Sequence, residues 1–114
     1  MFALAVLLAA SPADYRALGT EPFWSLTIGR TVMRLEEPGR PTRTYRTPPA
    51  RRIPNGVRRA SGPIVVTIVR RACSDGMSDR TFPETVTVRI GARVLNGCGG
   101  APASPPGRPV PAAW

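Results

Sequence analysis

Apolar and polar positions alternate with period two in several stretches of this chain, and nowhere with the period of a helix. In "FWSLTI" (Phe23–Ile28), Trp24, Leu26 and Ile28 fall on one face, with Phe23, Ser25 and Thr27 on the other. Gly29-Arg30 then turns into "TVMRLE", where Val32 and Leu35 are apolar and Met33 interrupts the alternation. The two runs predict a hairpin, with Pro22 ahead of the first strand, where its missing N–H matters least. "PIVVTIVRRAC" (Pro63–Cys73) is the densest β-branched run and predicts a central strand covered on both faces at its start. "ETVTVRI" and "ARVLNGC" predict a second hairpin around Gly91-Ala92, with Gly in the first position of a type II′ turn. That register sets Val88 opposite Leu95 and Thr85 opposite Cys98.

Residues 36–62 are of another kind, crowded with Arg and Pro and punctuated by Pro48-Pro49 and Asn55-Gly56. "TRTYRT" around Tyr45 makes a polar edge strand there, and the rest is expected as a long exposed basic loop. The tail 101–114 carries no periodicity and is expected to be disordered. The pattern as a whole predicts an all-β domain over 14–100, a small antiparallel barrel or sandwich of five to six strands. A core this small needs its largest inward side chain, so Trp24 is expected as an anchor whose N–H finds an acceptor. A ligand-stacking Trp24 is the alternative.

The start of the chain changes the picture of where this domain works. An apolar run from Phe2 to Ala10 is too short to cross a bilayer, which takes about 20 residues. It suits the core of a secretory signal, cleaved after the small residues "SPA" so that 1–13 is removed. No Lys or Arg precedes the run, and an N-terminal strand or helix belonging to the fold is the other reading. No Cys follows it, so this stretch offers no point of lipid attachment. In an exported protein the two cysteines, Cys73 and Cys98, are most simply a disulfide. A bridge closing about 26 residues stabilises by about 3.5 kcal/mol on the chain-entropy account. Two buried thiols or half of a metal site are the competing readings, the second a poor one without His or CxxC.

Three pieces of the chain, "GTEPFWSLTI", "CSDGMSDRTFPETVTV" and "NGCGG", resemble an uncharacterised family of small bacterial envelope proteins. Its members pair a G-T-E-P-F-W opening with a C-S-D-G-M-S-D loop and a closing G-C, behind a signal or lipoprotein peptide. The likeness spans roughly residues 15–100 and implies a location in the envelope and a fold, with no activity attached. This chain departs from the pattern in lacking a lipobox Cys, and in placing Glu84 where an aromatic follows the Phe-Pro or Tyr-Pro pair.

Composition limits the chemistry. The net charge is +9 with a pI near 11.5, every basic residue is Arg, and His is absent. Such a composition arises from genomic base bias as readily as from selection for an anionic partner. The most site-like stretch is Cys73–Arg80, where Ser74, Asp75, Ser78 and Asp79 offer hard oxygen ligands and Arg80 a cation. A Ca²⁺ site needs six or more oxygens, and Asp75-Gly76 is also an ordinary turn, so no metal or other cofactor is expected. Glu21 with Asp75 or Asp79 is the one carboxylate pair that catalysis could use, and with no His, Lys or G-x-S-x-G elbow an enzyme is not expected. Aromatic-basic nucleic-acid modules are missing. The expectation is a periplasmic or secreted monomer that binds or supports, its partners anionic envelope polymer, lipid headgroups or an envelope protein. Glu21, Phe23 and Trp24 are its recognition or core residues. The alternative is a proteinaceous inhibitor of an envelope enzyme acting through Ser74–Arg80.

Overall fold

The computed structural model describes residues 14–76 and 79–102. The expected signal at 1–13, most of the tail, Met77 and Ser78 lie outside them. The described chain is all-β. Its strands are β1 (Tyr15–Thr20), β2 (Phe23–Ile28), β3 (Val32–Glu36), β4 (Arg43–Arg46), β5 (Arg51–Ile53), β6 (Gly56–Ser61), β7 (Ile64–Val69), β8 (Cys73–Ser74), β9 (Thr81–Phe82), β10 (Glu84–Ile90) and β11 (Arg93–Gly99). Eleven strands replace the five or six expected.

Nine of them form one antiparallel sheet in the order β4-β3-β2-β1-β11-β10-β7-β6-β5, and β8 and β9 pair separately. The sheet must curl. Flat, its edges would stand about 38 Å apart at about 4.8 Å per strand step. Yet β4 and β5, the two edges, are joined by only Thr47–Ala50, which reaches about 18 Å at most. The result is a half-barrel open between β4 and β5, rather than a sandwich of two sheets. Arg59 reaches from β6 to the carbonyl of Pro48, tying the connecting segment to the curled wall.

The core lies on the concave face. Trp24, Leu26, Ile28, Met33, Leu35, Ile64, Val66, Ile68, Val86, Val88, Ile90 and Leu95 are buried there. Met33 corrects the sequence reading: it is fully buried beside Leu35, while Val32 points outward and is exposed. Alternation in β3 is therefore strict, with a phase shifted by one residue. In β7 the inner residues Ile64, Val66 and Ile68 are buried and the outer ones only half-buried, so one face is covered, not two. That strand also ends at Val69, and Cys73 belongs to β8.

The basic stretch 36–62 is exposed as expected, but it is not mainly a loop. It carries β4, which is an edge strand around Tyr45, and also β5 and β6. Pro54-Asn55 makes the turn between Ile53 and Gly56, with Asn55 at φ 62° as the third position of a type II turn demands. The N–H of Arg70 donates to Asn55 O, and Asn55 Nδ2 donates to Arg70 O, so the turn is pinned to the end of β7. The second hairpin has the expected register, Val88 against Leu95 and Thr85 against Cys98, and Gly91 at φ 62°.

Candidate functional site

The half-barrel has two ends of different character, and the residues singled out in the sequence gather at one. At this first end the β1–β2 turn is made by Glu21-Pro22 through a cis peptide bond. The turn puts Phe23 on the outer face, where it is 53% exposed, and Trp24 on the inner face, where it is 3% exposed. Trp24 lies over β1 and reaches β11, donating its indole N–H to Asn96 O at 3.2 Å. Glycine makes the seat: a Cβ at Gly19 would come within 2.0 Å of Trp24 Nε1, and one at Gly97 within 2.7 Å of its ring. The core role expected for Trp24 thus holds, together with an acceptor for its N–H. Beside it Arg93 forms an ion pair with Glu37, whose side chain is almost buried, linking the start of β11 to the end of β3.

The second motif stretch arrives on the outer face. Cys73 and Cys98 are joined in a disulfide with 5.4 Å between their Cα atoms, so β8 is fastened to β11. Cys73 pairs with Phe82 and Ser74 with Thr81. Phe82 is buried and the Arg80 guanidinium sits 5.9 Å from its ring centre. Past β8 the backbone turns at Gly76, at φ 77°, whose N–H donates to Ser74 Oγ at 3.2 Å. Thr20 donates its hydroxyl to Asp75 O at 3.0 Å, which bonds the first motif to the second.

Between them opens a pocket of about 520 Å³, lined among others by Phe23, Trp24, Glu36, Arg40, Asp75 and Arg80. Of the residues singled out in the sequence, Phe23, Trp24, Asp75 and Arg80 thus converge on it. Glu21 is exposed in the turn and does not line it, Ser74 and Asp79 stand outside it, and Ser78 falls outside the described residues. Among the described residues no three of His, Cys, Asp and Glu come together as metal ligands.

The other end holds residues that sequence reasoning did not bring together. Tyr15 donates its hydroxyl to Glu84 Oε1 at 2.7 Å, and the ring lies over Gly99, where a Cβ would approach the hydroxyl to 2.1 Å. Burial pushes the Tyr15 hydroxyl well above its ordinary range, and the bond to Glu84 and its charge push the same way. The available signal was the spacing of Gly97 and Gly99 on the inner face of β11, one under each aromatic ring. Glu84, at the position where an aromatic was expected, is the acceptor that Tyr15 needs. Comparison of the chain with protein-family models, with curated proteins and with solved structures found no match.

Proposed function

We propose that this chain is an exported envelope protein of the family its motifs resemble, and that it acts as a non-catalytic binding module. One observation carries the reading. Two motif stretches some fifty residues apart, "GTEPFW" and "CSDG", are bonded through Thr20 and Asp75 and share one pocket. A disulfide and the lack of any membrane-crossing helix among the described residues fit export. The pocket presents an exposed ring, Phe23, with Arg40 and Arg80 beside Glu36, Glu37 and Asp75, mixed charges that suit an envelope protein better than a purely anionic group. Capture from an envelope extract with the full chain tests it. Wild-type protein should retain a partner that Phe23→Ala with Arg80→Ser releases. Equal capture by both would overturn the reading.

The same experiment addresses a second reading, that of a proteinaceous inhibitor. The loop after Cys73 is held by the disulfide on one side and by Thr20 on the other, and a loop fixed in advance loses little entropy on docking. An inhibitor brings down one hydrolase in equal amount; a binder of envelope polymer brings down acidic polymer.

A further inference from the structure

The end of the half-barrel opposite the pocket is built like a small binding site, and nothing in the reading above uses it. Two adjoining concavities of about 330 and 340 Å³ share Val57, Ile68 and Glu84. Their floor is apolar, from Ile28, Val57 and Ile68. Around the rim stand Arg30 and Arg59 in one concavity and Arg52 and Arg70 in the other. Four arginines thus line a mouth that holds a single carboxylate, none of them within ion-pair distance of it among the described residues, and one of them, Arg59, donates to the carbonyl of Pro48. Such a ring of like charges repels itself unless something anionic enters.

Glu84 is held in place. One of its oxygens accepts the Tyr15 hydroxyl, and Tyr15 is in turn seated over Gly99. A carboxylate accepts only, and with two oxygens it has room for further donors. The mouth therefore offers multiple planar forks for a dianion, one fixed acceptor for O–H groups, and space within the usual range for a small ligand. We propose that this mouth binds a phosphate monoester on a polyhydroxylated body, a sugar phosphate, with the phosphate between Arg52 and Arg70 and a hydroxyl on Glu84. The ligand is either a free sugar phosphate or a phosphorylated sugar at the head of a lipid, because the recognising chemistry is the same.

Titration calorimetry on the full chain tests the site with glucose 6-phosphate, glucose and inorganic phosphate as probes. Glucose 6-phosphate should bind at least tenfold tighter than inorganic phosphate, and glucose should give no heat. Arg52→Ser with Arg70→Ser should weaken glucose 6-phosphate tenfold or more. Arg51→Ser with Arg58→Ser, on the convex face, should change it less than twofold. Glu84→Gln, which keeps an oxygen for Tyr15, should leave phosphate binding and reduce the preference for the sugar ester. Phosphatidylcholine vesicles with and without a glucosamine phosphate headgroup distinguish the sources: retention on the headgroup-bearing vesicles alone, competed by the soluble ester, assigns the lipid. Equal affinity for phosphate and its sugar ester, or equal loss from both arginine pairs, would overturn the site. Because the Phe23 and Arg80 pocket lies at the other end, its failure and this one are read separately.

Discussion

Trp24 spans a strand to reach its acceptor, so its removal empties a volume that no neighbour can fill. Trp24→Ala should cost about 3–5 kcal/mol, seen as a fall in the denaturation midpoint. Gly97→Ala should harm the fold by a different route, since its Cβ would sit 2.0 Å from the carbonyl oxygen of Leu18, a backbone atom that cannot swing aside. Tyr15 gives a pH signature. Its pKa is raised on folding, so the neutral hydroxyl contributes fully below the unfolded value near 10, and the contribution is lost as pH rises above it. Thermal melts should therefore show wild type more stable than Tyr15→Phe at pH 8, and the gap narrowing above pH 10. A constant gap would mean that the hydroxyl does not titrate with unfolding. The role of Trp24 was legible because size and alternation both marked it. The Tyr15–Glu84 bond was not, because its partners are 69 residues apart and nothing local to either predicts the other.

Strands were legible where the inner face carries large apolar side chains. β2, β7 and β10 do, and their alternation stands out, while β11, with only Leu95 above Gly97 and Gly99, was legible through its turn with β10. β1 gives its inner face to Tyr15, Ala17 and Gly19, two of them small because Trp24 and Leu26 take the space. β5 at the edge and β6 beside it carry exposed arginines that read as loop, and they are strands because Pro54-Asn55 closes a turn that is bonded to the end of β7. β8 and β9 are too short to show any period, and the disulfide organises them. Reducing that bond should cost about 3–4 kcal/mol on the chain-entropy account and should loosen the Thr20–Asp75 contact first. Hydrogen exchange compared with and without reductant would show protection falling across the sheet as the unfolded chain gains freedom, and falling first and furthest in β8, β9 and the neighbouring end of β11. Uniform loss across the sheet would count against this picture. The pocket itself was half legible. Phe23, Trp24, Asp75 and Arg80 were named in the sequence and the rest of its lining was not, and the convergence depends on the disulfide's carrying one motif across the outside of the sheet.

Charge is distributed unevenly over the whole molecule. Between Pro38 and Ser74 there are nine arginines and no Asp or Glu, and all seven acidic residues lie outside that span. Arg51 and Arg58 are directly opposed across β5 and β6, an arrangement that costs stability. Replacing Arg46, Arg51 and Arg58 by Ser should leave the melting temperature unchanged or slightly higher. It should also weaken a salt-steep adhesion to anionic vesicles, which in wild type fades as the screening length falls to about 8 Å. Adhesion insensitive to salt would remove the electrostatic account. The open seam of the half-barrel has a consequence for chain connectivity. The start of β1 and the end of β11 are paired neighbours, Ala17 beside Gly99, while β4 and β5 meet only through Thr47–Ala50. A circular permutant cut between Pro48 and Pro49, with a short linker from residue 100 back to 14, would run through the sheet from one edge to the other in chain order. Its distant β1–β11 pairing becomes a local one, and rates of folding rise as contacts become local. The permutant should keep the core and refold faster than the natural order, in which the first strand waits for the last.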